Sequence, residues 1–196
     1  MADDPFDARY FSRFYIEPAT RLGTHEHVEH LITGIVHLVE FWRYPLRRVL
    51  DVGAGTGIWG AWFRRHRPQV IVRGVDISAH ACATYGHELR DISAWHDAEA
   101  HDLVVCNGVL AYLDDDAATR AIENLAAMSD NFLYLTTRTT EDLAAGTLDL
   151  DRSDPVGFVR PAQFYRERLE GYFRPIGAGL WQAHTAPEQL LRLERA

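Results

Sequence analysis

The sequence predicts an α/β protein built on a mostly parallel sheet, and three observations carry that expectation. Apolar runs at Arg48–Val52, Val70–Val75, Asp102–Cys106 and Phe132–Thr136 are too continuous for strands wetted on one face. Segments with helical spacing separate them, so neighbouring strands should run parallel through right-handed crossovers. The first run breaks directly into Gly53-Ala54-Gly55-Thr56-Gly57, a glycine turn at a strand-to-helix junction. A chain of 196 residues suits one domain. Its expected parts are an N-terminal helical cap (1–45), the sheet core (46–137), an insertion or lid with a helix (138–170) and C-terminal strands (171–196).

Taken in order, residues 6–44 carry two helical patterns. Phe6, Tyr10, Phe11, Phe14 and Tyr15 recur at helical spacings, as do Leu31, Ile32, Ile35, Leu38, Val39 and Trp42. Pro45 ends the second pattern. After the first strand and its glycine turn, a helix is expected to about His66. The strand at 70–75 ends at Asp76, and a helix over 78–85 leads to a short strand near 86–90, closed by Asp91-Ile92. The fourth strand, 102–106, is followed by a helix over about 115–128, and the fifth is 132–136. Residues 138–160, with Asp149, Asp151, Asp154, Pro155 and Gly157, read as a long loop or lid. Pro161 suits the first turn of a helix over 161–170. Two last strands, an antiparallel pair, are expected at Phe173–Trp181 and about 189–195.

Composition narrows the function. All 20 basic residues are arginine, which excludes a Schiff-base lysine, a phosphate-loop lysine and a lysine general base. A net charge of -8 disfavours nucleic acid as a partner, since phosphate neutralisation needs a basic face. The acidic start, Met1–Pro5, lacks the layout of a secretory leader, and no apolar run reaches the length of a membrane span. Cys82 and Cys106 match no metal or disulfide framework. A cytoplasmic protein without a metal site is therefore expected.

The glycine turn holds the most specific chemistry. Glycines there let a ligand approach the backbone, and the following helix N-terminus offers N–H groups. Asp76, at the end of the next strand, is placed to take both hydroxyls of a ribose. Gly55-Thr56-Gly57-Ile58-Trp59-Gly60 is a literal G-x-G-x-x-G and keeps a nicotinamide oxidoreductase as an alternative. Its register is wrong, however. A pyrophosphate turn puts its first glycine just past the strand, which is Gly53, and the residue five on is Ile58. Asp51 would repel a pyrophosphate yet suits a ligand ammonium.

Val49-Leu50-Asp51-Val52-Gly53-Ala54-Gly55-Thr56-Gly57 resembles the first motif of the class I S-adenosylmethionine-dependent methyltransferases. The resemblance continues through Gly74-Val75-Asp76-Ile77-Ser78, Asp91-Ile92 and Asp102–Leu110, and covers about residues 46–137. The ends are similar to a little-characterised bacterial group of small methyltransferases, through Pro5–Phe11, Arg160-Pro161, Phe164-Tyr165-Arg166 and Gly177–Trp181. That likeness names no substrate. The family implies a Rossmann-like three-layer domain with a seven-stranded, mostly parallel sheet, and S-adenosylmethionine as cofactor. It also implies residue roles. Gly53, Ala54 and Gly55 would approach the methionine part, with Asp51 near its ammonium. Asp76 would hold the ribose, Ile77 would cover the adenine, Asp91 would accept from its amino group and Ile92 would support the ring. Asn107 and Val109 would border the methyl-transfer site.

Methyl transfer from a sulfonium draws much of its acceleration from positioning, so no catalytic dyad is required. Candidates on the acceptor side are Tyr15, His30 and Tyr112, with Tyr10 beside Tyr15 in the aromatic stripe. His25, His27 and His30 decorate one helix, where a base or metal role competes with a solvated face. Arg138, Arg160 and Arg166 would either bind a substrate carboxylate or pair within the acidic 138–160 segment. No Asn-Pro-Pro-Tyr-type motif of nucleic-acid methyltransferases is present. The expected function is methyl transfer to a small molecule; the remaining alternative is a non-catalytic cofactor-binding or scaffold protein.

Overall fold

In a computed structural model that describes residues 5–188 and Leu190, seven strands join in one sheet. They are β1 (Arg48–Val52), β2 (Ile71–Asp76), β3 (Glu88–Leu89), β4 (His101–Asn107), β5 (Ser129–Thr136), β6 (Phe173–Gly177) and β7 (Leu180–Ala183). Their order is β3-β2-β1-β4-β5-β7-β6. The first five pair in parallel, while β7 runs antiparallel to both β5 and β6. The expected Rossmann-like architecture is present, with the C-terminal antiparallel pair placed differently. Phe173–Trp181 is not one strand but folds back on itself through Gly177-Ala178-Gly179. A tight glycine-flanked turn inside an apolar run is hard to see by periodicity alone. The strand expected at 189–195 lies outside the described residues, Leu190 excepted.

Chain direction across the sheet places the helices. From β1 the path moves through α3 (Ile58–His66) to β2 on one side; from β4 it moves through α5 (Asp115–Met128) to β5 on the other. Right-handed crossovers in opposite directions put the two helices on opposite faces, giving three layers. Apolar residues at three- and four-residue spacing face the sheet: Trp59, Trp62 and Phe63 on α3, and Ala118, Ala121, Ile122, Leu125 and Met128 on α5. Helix α2 (His25–Phe41) packs beside α3 and buries Ile32, Ile35, Val36 and Val39. Between β1 and β4 the strand order reverses, which opens a crevice beyond the carboxyl ends of those strands.

The N-terminal segment holds α1 (Ala8–Phe11), capped by Asp7, and a π-helical turn, Ser12–Ile16. Short α4 (Ala79–Tyr85) follows β2. The 138–160 segment is not a plain loop. It contains α6 (Thr140–Ala145), begun by a capping box in which Thr139 and Asp142 satisfy each other's backbone N–H groups. That signal was present in Thr139-Thr140-Glu141-Asp142.

Arg160 pins this insertion, ahead of α7 (Ala162–Leu169). Its buried guanidinium donates to Asp115, to the carbonyls of Leu110 and Leu113 and to the Tyr165 hydroxyl, and lies over the Phe158 and Phe164 rings. Arg138 donates to the carbonyls of Asp154 and Val156. Two of the three arginines expected to choose between substrate and internal partners are thus taken up internally; Arg166 is exposed on α7. Arg160→Ala leaves two carbonyls without their donor and should cost about 2–3 kcal/mol in urea unfolding. Arg160→Lys, keeping the charge but not the fork, should recover only part of that loss.

Candidate active site

The crevice at the β1/β4 reversal holds a cavity of about 230 Å³. Four loops at the carboxyl ends of the strands make its walls. They supply Val52, Gly53 and Gly55; Val75, Asp76 and Ile77; Arg90, Asp91 and Ile92; and Asn107, Gly108 and Val109. Tyr112 and Leu113 extend the last of these, and Phe6, Tyr10, Phe11 and Tyr15 form a roof.

The glycine turn is held from below and behind. Gly53 and Ala54 donate their N–H groups to the Val75 carbonyl, at 2.9 and 3.1 Å. Gly53 has φ 68°, and a Cβ there would fall 2.2 Å from Val109 Cγ2, so only glycine lets the β4 loop close against the turn. Asp76, buried at 7% exposure, accepts the Gly55 N–H on one oxygen (2.9 Å) and the Ser78 N–H on the other (2.8 Å). His87, unremarked in the sequence, props the turn from outside by donating Nε2–H to the Gly55 carbonyl (3.1 Å). Its ring occupies space that a side chain at Gly74 would close, since a Cβ there would lie 2.5 Å from Nδ1. No sequence signal links two residues so placed.

Asp51 and Ala54 do not line the cavity; both are buried beside the wall formed by Val52, Gly53 and Gly55. Asp51 Oδ2 is buried and has no hydrogen-bond partner from the protein. Burial, and secondarily the Asp76 charge, push its carboxyl up to about 7. An acceptor left bare inside the fold fits a cationic ligand group, such as the ammonium of S-adenosylmethionine.

The other expected residues fall at the rim. Ile77 lines the cavity while half exposed, and Ile92 is buried against it. Asp91 is exposed, and its Oδ1 accepts the Ser93 N–H (2.9 Å) and hydroxyl (2.7 Å). Asn107 accepts the Thr136 hydroxyl. Arg90, Gly108 and Leu113 also line the cavity and were not singled out from the sequence.

The acceptor candidates separate cleanly. Tyr112, on a 3₁₀ turn (Leu110–Tyr112), and Tyr15 line the cavity together with Tyr10. The Tyr10 and Tyr112 hydroxyls are 2.8 Å apart, and Phe6 packs edge-on against both rings. Burial raises all three phenols above the usual tyrosine range, so they stay protonated. His30 is not brought to the cavity; it stands exposed on α2, 3.8 Å from Glu26. Among the described residues no cluster of His, Cys, Asp or Glu could hold a metal ion.

A family model described as a methyltransferase domain matches residues 24–173, and the chain belongs to that family, in the class I S-adenosylmethionine-dependent architecture. No curated protein sequence matches it. Among solved structures it is similar to magnesium protoporphyrin IX methyltransferase from Synechocystis PCC 6803 with bound SAH, at 17% identity and TM-score 0.60, covering 91% of this chain and 95% of that one. It is also similar to a S-adenosylmethionine-dependent methyltransferase from Clostridium acetobutylicum ATCC 824, at 12% identity and TM-score 0.60, over 83% and 84% of the two chains. The sugar N-methyltransferase KedS8 from Streptoalloteichus sp ATCC 53650 aligns at 17% identity and TM-score 0.57, over 78% and 85%.

Asp51 makes a pH prediction with a definite sign. Its folded value of about 7 lies above the ordinary 3.8, so between those values the native state holds a proton that the unfolded chain releases. Its contribution should therefore destabilise the fold increasingly as pH rises through that window, then level off. Asp51→Asn removes the effect. Urea midpoints should show the variant gaining on the wild type between pH 5 and pH 8, by on the order of a few kcal/mol.

Proposed function

We propose that the chain transfers the methyl group of S-adenosylmethionine to a small-molecule acceptor, acting as one domain in the cytoplasm. The observation that carries this is one cavity bordered by a glycine turn, the Asp76 carboxylate and the apolar side chains of Ile77 and Ile92. When bound, the cofactor supplies a methyl on a sulfonium, a group with a good leaving thioether. The protein's share is binding, orientation and exclusion of water.

Gly53 and Gly55 hold the methionine part by their backbone, and Asp51 neutralises the ammonium from behind the wall. Asp76 keeps lone pairs free beyond its two backbone partners and takes the ribose hydroxyls. Asp91 Oδ2, the oxygen not bonded to Ser93, accepts from the adenine amino group. Asn107 and Val109 border the transferred methyl, under the aromatic roof. Only Gly55 of the Gly55–Gly60 hexapeptide lines the cavity, and Gly60 lies inside α3, which speaks against a dinucleotide.

The four aromatic side chains that roof the crevice, Phe6, Tyr10, Phe11 and Tyr15, narrow its approach, which supports a small acceptor over a macromolecule. The porphyrin and sugar named for two structural neighbours point the same way. The surplus of acid argues against nucleic acid, and two free cysteines suit a reducing compartment.

Asp76→Ala should weaken adenosylhomocysteine binding by about 1–3 kcal/mol in calorimetry, through lost ribose hydrogen bonds. Unchanged affinity would sink the ribose assignment. Binding of NAD without adenosylhomocysteine would sink the cofactor.

A further inference from the structure

Tyr112 is bonded on both sides, and the direction of those bonds is fixed. Its hydroxyl donates to Asp154 Oδ2 at 2.9 Å, while Asp154 Oδ1 accepts the Val156 N–H at 2.9 Å. A hydroxyl has one proton, so the 2.8 Å contact between Tyr112 and Tyr10 must have Tyr10 as donor. Tyr10 has then spent its own proton, so its oxygen is left as an acceptor, toward the Tyr15 hydroxyl that hydrogen-bonds to it and toward the cavity that both rings line. Asp154 is buried at 7% exposure and does not line the cavity; among the described residues its carboxylate forms no ion pair. Arg138 donates to the main-chain carbonyls of Asp154 and Val156 instead.

Resting on the methyltransferase reading above, we infer that Tyr10, Tyr112 and Asp154 form a one-way proton relay that selects an acceptor bearing a neutral O–H and takes its proton. In the step, an oxygen lone pair of the acceptor forms the new C–O bond, and the C–S bond breaks with its electron pair leaving on sulfur. The acceptor proton passes to the Tyr10 oxygen, that of Tyr10 to Tyr112, and that of Tyr112 to Asp154 Oδ2. The donor's positive charge and the Asp154 negative charge are both discharged, so no charge is left in the cavity. Asp154 is the proton sink and acts through Tyr10, the residue facing the acceptor.

The relay has a consequence that needs no turnover. Its cavity end accepts a hydrogen bond and offers none, so it should hold a hydroxyl and reject the methylated ether. Asp154→Asn reverses this. The Val156 N–H still demands an acceptor, which keeps the amide oxygen, so the new NH₂ faces Tyr112. Tyr112 then donates to Tyr10, and the Tyr10 proton turns toward Tyr15 and the cavity, so that a hydroxyl donor now faces the acceptor.

The test titrates phenol and anisole, as probes, into protein first shown by calorimetry to be loaded with adenosylhomocysteine. The wild type should bind phenol about fivefold or more tighter than anisole. Asp154→Asn should lose or invert that preference, a change that a merely structural latch would not produce. Tyr112→Phe, which cuts the relay while keeping the ring, should lose it as well and covers the case in which the asparagine variant does not fold. A wild type without the preference, one that binds neither probe, or variants that retain it would overturn the relay. Failure to bind adenosylhomocysteine at the first stage would instead overturn the cofactor assignment on which the relay rests.

Discussion

Asp76 accepts the Gly55 N–H with one carboxylate oxygen and the Ser78 N–H with the other, and much of the site hangs from that pair of bonds. It joins the turn after β1 to the turn after β2, adding to the Gly53 and Ala54 N–H bonds that reach the Val75 carbonyl. The link carries further. Ser78, so placed, donates its hydroxyl to the Phe6 carbonyl at 2.6 Å, and Phe6 packs edge-on against Tyr10 and Tyr112. One buried charge thereby sets the floor of the cavity and the height of its roof. Charge-assisted bonds from backbone N–H groups are among the stronger ones available to a protein, which suits a position on which several loops converge.

A second set of contacts closes the opposite side. Arg160 gathers Asp115, Leu110, Leu113 and Tyr165, and so fixes the segment that presents Tyr112. The Phe158 N–H meets the Ala111 carbonyl, and a Cβ at Gly157 would fall 2.5 Å from that same oxygen. The insertion is therefore built onto the turn after β4 rather than hung beside it. Its polar and acidic composition reflects the exposed side; its few buried groups, Asp154 and Arg160 among them, face inward.

The sheet was legible because continuous apolar runs and the glycine turn are local signals, and the parallel topology follows from their alternation with helices. The hairpin at 173–183 was not, because its turn is written in three small residues inside one apolar stretch. Asp76 was legible as a strand end, whereas Ile77, Ile92, Asn107 and Val109 were expected only through the family resemblance; all five line the cavity. Asp51 was expected beside a ligand ammonium; its side chain is buried next to the wall formed by Val52, Gly53 and Gly55, a depth that no local pattern in β1 announces. The places of His87 and Asp154 were not legible. His87 is set by Gly55 and Asp154 by Tyr112, partners 20 or more residues away, and such pairings leave no spacing rule in the chain.

The aromatic roof carries a consequence for variation. Phe6, Tyr10, Phe11 and Tyr15 line the cavity from one stretch of ten residues. That stretch is tied to the turn after β2 through the Phe6 carbonyl and Ser78, and to the turn after β4 through Tyr10 and Tyr112. A single exchange there moves two walls at once, so the affinities proposed for donor and acceptor cannot be tuned independently from that segment.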